Sequence, residues 1–233
     1  NEGYLISGIT KGSGMIHPNM ATMLCFIFTD AEVSSNILND CLKESVDKSF
    51  NRISVDGDTS TNDSVVILAN GLSKVKIDTA DKVDSFKKAL DFLCIELAKK
   101  IAKDGEGATK LIECQCIGAK SQIDADAISK SIISSSLVKS AIFGEDPNWG
   151  RIVAAAGYSG ADMELDKIEV YLGDLRIVYK GKGAGVQKEE ARKELQKEHI
   201  KIKINMNLGA FSSKAWGCDL SYDYVKINAQ YHT

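Results

Sequence analysis

Thr22 is the residue whose position invites chemistry. It follows Ala21 at the end of a loop containing Gly12, Gly14 and Pro18, and it opens an almost wholly apolar run, Thr-Met-Leu-Cys-Phe-Ile-Phe-Thr. A threonine hydroxyl is a weak nucleophile, but at a chain terminus its own α-amine, with a reference pKa of about 7.7–8.0, can take the hydroxyl proton. β-Branching narrows χ1 and helps fix that hydroxyl. The same residue also has an ordinary reading as a structural threonine at a strand edge. Other chemistries find less support. The three histidines show no metal-ligand spacing. Gly157-Tyr158-Ser159-Gly160-Ala161 lacks the last glycine of a serine-hydrolase elbow. Segments 105–110 and 181–185 are glycine-rich but match neither phosphate-loop spacing.

Around Thr22 the pattern predicts alternating strands and helices. Segment 2–9 reads as a β-branched strand and 22–29 as a strand buried on both faces. Ser34 or Ser35 caps a helix with Ile37, Leu38, Cys41, Leu42 and Val46 on one side. Short strands at 52–55 and 64–69 flank the polar octet 56–63, and 74–78 reads as another strand. The longest helix, 81–103, carries Val83, Phe86, Leu90, Leu93, Leu97 and Ile101 in a stripe and stops at Asp104-Gly105-Glu106-Gly107. Beyond it come a strand at 109–117, a helix at 124–133 and a turn at 145–151 leading into a short helix at 152–156. A hairpin, 167–172 with 175–179, precedes a mixed-charge helix at 187–199 that carries His199 on a solvated face. Strands at 200–207 and 216–222 complete the pattern. Hairpins among helices indicate an α+β fold with mixed sheets, divided near Gly107 into 1–107 and 108–233.

Composition narrows the function classes. The 233 residues are 44% hydrophobic and 26% charged, an ordinary globular make-up. Lys+Arg 29 against Asp+Glu 32 leaves −3, so no basic field is present to hold nucleic acid or an anionic membrane. No apolar run reaches the ~20 residues that span a bilayer, and no signal-peptide pattern opens the chain, so a cytoplasmic location is expected. The six cysteines read as buried thiols rather than disulfides or a zinc site. The start at Asn1, without methionine, predicts a piece of a longer protein.

Five blocks then carry a resemblance. They are Lys11-Gly12-Ser13-Gly14-Met15-Ile16-His17-Pro18-Asn19-Met20-Ala21-Thr22-Met23-Leu24, the stretch from Ser54 to Asp63, and Asp104-Gly105-Glu106-Gly107-Ala108-Thr109-Lys110. Glu145-Asp146-Pro147-Asn148-Trp149-Gly150-Arg151 and the tail from Ala215 to Thr233 complete the set. In this order, across essentially the whole chain, they resemble the ornithine acetyltransferase (glutamate N-acetyltransferase) family of arginine biosynthesis.

The resemblance implies self-cleavage between Ala21 and Thr22. It also implies acetyl transfer from N-acetylornithine to glutamate through an acetyl-Thr22 ester, with acetyl-CoA a further donor in some members. It implies layered α-β-β-α architecture of the N-terminal-nucleophile type, no metal or organic cofactor, and an N-terminal α chain of the same precursor, paired as two α and two β chains. Lys11, Thr22, Glu106, Asn228 and Thr233 match the family's substrate contacts. The sequence departs at His232, where family tails usually carry arginine, a position outside those contacts. A further substrate-binding threonine and the Thr-Gly oxyanion pair belong to a part of the family's precursor that precedes this segment. The 233-residue chain by itself is therefore expected to be inactive. Two alternatives remain open on the residues: an N-terminal-threonine amidase or aminopeptidase that passes its acyl group to water, and a non-catalytic fragment that serves only subunit pairing.

Overall fold

Alternation of side chains organises the first sheet. The computed structural model describes residues 3–12, 14–17, 23–59 and 61–230, and the chain forms two compact units, Asn1–Ile101 and Ala102–Thr233. In the first, β1 (Ile6–Lys11) pairs antiparallel with β2 (Leu24–Thr29), and β2 pairs parallel with β4 (Ser64–Ala69). Between β2 and β4 lie α1 (Ser35–Lys48), capped by Ser34, and the short β3 (Ile53–Ser54). Cys25, Ile27 and Thr29 of β2 are buried, as are Phe86, Leu90, Cys94, Leu97 and Ile101 of α2 (Ala80–Lys103). Helix α2 lies against β1: a Cβ on Gly8 would come within 2.9 Å of Leu97 Cδ1. Asp91 of α2 accepts from Ser45 Oγ at 2.6 Å and Lys48 Nζ at 2.7 Å, which ties α1 to α2.

The other face of this sheet is open. Strand β2 is buried on one side only, contrary to the sequence expectation, because its outward row is apolar too. Cross-strand neighbours Ile9, Phe26 and Val66 form one exposed row, and Phe28 with Leu68 most of the next. Ile9 is 66%, Phe26 41% and Leu68 53% exposed. A continuous apolar run does not distinguish two-sided burial from an unpartnered apolar face. Two further differences appear. β1 begins four residues later than expected, at Ile6, and 74–78 makes only a single bridge, Lys76 to Glu32, beside the left-handed Lys74.

In the second unit β5 (Leu111–Ala119) lies between β10 (Phe211–Cys218), antiparallel to it, and β9 (His199–Asn205), parallel to it. The sheet continues through β6 (Glu169–Leu172), β7 (Leu175–Tyr179) and β8 (Lys182–Gly183). Ile112, Cys114 and Cys116 of β5 and Ile200, Ile202 and Ile204 of β9 form one core with Ile128, Ile132 and Ile133 of α3 (Gln122–Ser134). Helices α4 (Ser136–Phe143) and α5 (Trp149–Gly157) pack into the same core, and α6 (Lys188–Leu195) contributes Ala191 and Leu195. Helix α7 (Tyr222–Gln230) follows β10.

The helix expected over 187–199 therefore stops at Leu195, and His199 opens β9 rather than sitting on a solvated helix face. Leu195 is its last apolar anchor, and His-Ile-Lys-Ile-Lys-Ile-Asn alternates with the period of a strand. The strand expected at 216–222 is β10, and Tyr222 already belongs to α7. All six cysteines are buried thiols. Burial pushes Cys25 up to about 11 and Cys94 and Cys116 up to about 12, so these are packing residues, not nucleophiles.

Candidate active site

In the first unit the connection from β1 to β2 is gripped on both sides of residues 18–22. Lys11 ends β1 opposite Leu24, on the open face, and makes no ion pair among the described residues. The next residue, Gly12, sits so close to α2 that a Cβ would lie 3.1 Å from Ile101 Cγ2 and 3.2 Å from Ile16 Cδ1. Met15 adopts φ 54°, a costly region for a side-chain-bearing residue, and Asp56 stabilises the turn there. Its carboxylate accepts from Met15 N at 2.6 Å and from Ile16 N at 3.0 Å. Val55 N donates to Ile16 O at 2.6 Å, His17 Nδ1 and Ser54 Oγ lie 3.0 Å apart, and Thr59 Oγ1 donates to His17 O at 3.1 Å. Beyond residue 22 the same segment takes hold again: Met23 N donates to Asp63 Oδ1, and Ser64 N donates to Met23 O at 2.7 Å. Burial raises the Asp63 carboxyl above its ordinary 3.8, only partly offset by the Met23 amide. The pair expected to be cut, Ala21 and Thr22, lies outside the described residues.

The second unit brings Glu106 and Asn228 together, with Asn228 Nδ2 donating to Glu106 Oε2 at 3.0 Å and to Tyr224 O at 3.0 Å. What aligns them is a buried knot. Asp219, 2% exposed, accepts from Thr109 N at 2.8 Å, Thr109 Oγ1 at 2.5 Å and Lys110 N at 2.9 Å. Ser221 Oγ donates to Gly107 O at 2.6 Å. Gly107 has φ +68°, and a Cβ there would lie 2.5 Å from Tyr224 N, so the turn carrying Glu106 can meet α7 only with glycine in place. A carboxylate held by an amide is a receptor for an ammonium group, and the Lys11 ammonium is one for a carboxylate. Thr233, the remaining expected contact, lies outside the described residues.

The comparisons with known proteins fit this arrangement. The ArgJ family model matches residues 1–233. The chain belongs to the ArgJ family. The arginine biosynthesis bifunctional protein ArgJ of Streptococcus mutans is 53% identical over 230 residues, covering 98% of this chain and 58% of its own length. ArgJ 1 of Clostridium acetobutylicum is 51% identical over 234 residues, covering 98% and 57%. A crystal structure of ArgJ from Bacillus halodurans superposes with a TM-score of 0.84 at 45% identity, covering 87% of this chain and 96% of that one. The chain thus spans somewhat under three fifths of the curated ArgJ relatives it matches, and the resemblance in the five blocks is family membership. The α+β class with mixed sheets is the fold the two units show.

Sequence reasoning did not reach the two aspartates that do the holding. Asp56 and Asp63 read as turn residues of a polar octet, whereas Asp56 accepts two backbone amides before the expected cut and Asp63 accepts one after it. The available signal was the octet's acidic density beside two strand ends. Asp219 carried no signal, since its partners lie about a hundred residues earlier in the chain.

Proposed function

We propose that this chain is the C-terminal part of an ArgJ acetyltransferase that cuts itself between Ala21 and Thr22. It then carries acetyl from N-acetyl-L-ornithine to L-glutamate on Thr22. The observation that carries this reading is the clamp: segment 54–64 grips residues 15–17 and residue 23. Attack by the Thr22 hydroxyl on the Ala21 carbonyl turns the peptide into an ester, and water releases Ala21. The new α-amine of Thr22 then acts as base for its own hydroxyl, which takes the acetyl group as ornithine leaves. Glutamate enters next, and its amine removes the acetyl, a ping-pong cycle.

Both substrates are amino acids, so the same residues serve both. Lys11 is the charge partner of their carboxylate, Glu106, oriented by Asn228, is that of an amine, and Thr233 is a further substrate contact. Acetyl-CoA serves as a second donor, in keeping with the word bifunctional in the relatives' names. No metal or organic cofactor takes part. The family's remaining length supplies the oxyanion donors and an N-terminal α chain, which covers the exposed rows of Ile9, Phe26, Val66 and Leu68. Two α and two β chains assemble in the cytoplasm, and the 233-residue chain alone turns nothing over; losing a single oxyanion donor costs ~10²–10³ in rate.

Intact mass of the full-length product tests the cut: two chains, the second beginning Thr-Met-Leu-Cys. Isotope-labelled acetyl donor tests the carrier, with label on Thr22 expected and none in Thr22→Ala. Acetate release without dependence on glutamate would instead establish a hydrolase.

A further inference from the structure

Two parts of the second unit have no place in the transfer chemistry: the block around Trp149 and the glycine-rich segment 181–185. The fold brings them together. Strand β8 returns antiparallel beside β7, with Val178 opposite Gly183 and Tyr179 opposite Lys182. Lys180 and Gly181 make the turn between them at φ 50° and 71°, both positive as a tight hairpin requires. Gly183 then lies against the indole at the start of α5, where a Cβ would stand 3.3 Å from Trp149 Nε1 and 3.4 Å from its Cζ2. Trp149 is 37% exposed, and with Pro147, Ile177 and Val186 it lines a cavity of about 180 Å³.

The surface beside this cavity is cationic. A groove of about 830 Å³ is lined by Lys167, Arg176, Lys180 and Lys182, with Asp166 its one carboxylate, and it meets the Trp149 cavity at Gly183 and Ala184. That volume is in the range of small-ligand sites, about 300–1,000 Å³. Tyr179 gathers two of the charges, with Arg176 Cζ 4.3 Å and Lys180 Nζ 5.4 Å from its ring centre. Lys167 and Arg176 have carboxylate neighbours, Glu164 at 2.7 Å and Glu169 at 3.7 Å. Lys180 and Lys182 make no ion pair among the described residues. Like charges held together repel, and a bound anion removes that cost.

We infer that this groove binds a nucleoside diphosphate, its base beside Trp149 and its phosphates on Arg176, Lys180 and Lys182. Phosphate oxygens accept charge-assisted hydrogen bonds from such cations, and a base stacks on an aromatic ring. A bare anion would leave the Trp149 cavity empty, and a purely apolar ligand would leave the cations uncompensated. The charge here comes from side chains, which is why segment 181–185 matches no phosphate-loop spacing. The same chemistry has two sources, a free nucleotide or the nucleotide end of acetyl-CoA. Only the second source rests on the transferase reading.

The test measures binding to the purified full-length protein by calorimetry and tryptophan fluorescence, with ADP, CoA and inorganic phosphate as probes. ADP or CoA should bind saturably and quench the fluorescence, whereas phosphate should do neither. In Trp149→Leu the quench should vanish and affinity should fall by about tenfold. Lys180→Glu combined with Lys182→Glu should weaken binding by about 30-fold or more. Both lysines are exposed, so the thermal midpoint should hold in that variant. If acetyl-CoA is the source, the double variant should raise the KM for acetyl-CoA by about tenfold and leave N-acetylornithine-dependent transfer unchanged. Binding of ADP with both donors handled normally would identify a free nucleotide instead, and either result supports the groove. Absence of saturable binding by ADP and CoA overturns the inference. So does binding that the charge reversal leaves intact, or equal binding of phosphate, which would mark a plain anion patch. Nucleotide binding by a protein that transfers no acetyl would sink the transferase reading and leave this inference standing.

Discussion

The two sheets of this chain treat their outer faces in opposite ways. In the second unit the face turned away from α3 carries charged and polar groups beside the buried Trp216: Glu113 accepts from Trp216 Nε1 at 2.9 Å and Lys214 Nζ at 3.0 Å, and Lys203 lies 4.2 Å over the Tyr171 ring. The corresponding face of the first unit carries Ile9, Phe26, Phe28, Val66 and Leu68 in exposed rows. Apolar surface of this kind on a sheet is the mark of an interface. The second unit holds Asn228 to Glu106. The first leaves one face of its sheet exposed and carries the segment of the expected cut. The difference is that the first unit leaves an apolar sheet face exposed, whereas the second unit's sheet carries polar and charged groups on the face away from α3.

The largest expected effect breaks that contrast directly. Phe26→Asp puts a charge in the middle of the apolar row, and covering an unpaired charge costs on the order of several kcal/mol. Pairing with the N-terminal chain should weaken by roughly 100-fold or more, read by native mass of the full-length product. Lys203→Gln, on the polar sheet, should leave pairing unchanged. Equal sensitivity of the two faces would refute the comparison. Next in size is Asp219→Ala, which removes the buried carboxylate, strands its three donors and should cost about 3 kcal/mol in urea unfolding. It should also raise the Michaelis constant, since Glu106 and Asn228 lose their common anchor. Gly107→Ala comes third: with φ +68° and Tyr224 N in the way, the turn must shift, costing about 1–3 kcal/mol. Transfer should fall by about tenfold or more while cutting in the precursor proceeds, because the described grips on either side of the expected cut come from the first unit.

Much of the plan was legible in the residues. Strand and helix periods located α1, α2, α3, β4, β5 and the β6–β7 hairpin, since each has a clean apolar period or a glycine turn. Helix α4 was hidden because Ser135 both ends α3 and caps α4, so one serine marks two boundaries. Helix α7, which carries Asn228, buries none of its described residues and so shows no apolar stripe to read. Lys11, Glu106 and Asn228 emerged from motif order rather than from local pattern. Asp56, Asp63 and Asp219 act through contacts distant in sequence, and distance in sequence is what no local period records.

The smallest effect sharpens the comparison through two carboxylates of opposite sign. Burial would raise the Glu113 carboxyl, but hydrogen bonds from Trp216 and Lys214 outweigh it and hold the group below its ordinary 4.5. A group depressed on folding contributes stability above its unfolded value, and that contribution is lost as pH falls through the folded value. Asp63 runs the other way. Raised above 3.8 on folding, it favours the folded state in acid and penalises it once pH climbs through the raised value. Thermal midpoints measured from about pH 7 down to about pH 3 therefore separate the units. Glu113→Gln should destabilise the fold by about 1 kcal/mol near neutrality and so lower the midpoint, with the gap from the unmodified protein closing in acid. Asp63→Asn should raise it near neutrality, and that gap also closes in acid. Two gaps of the same sign would mean that the first unit's carboxylate is a stabilising clamp like the second's, and the functional asymmetry between the sheets would lose its electrostatic counterpart.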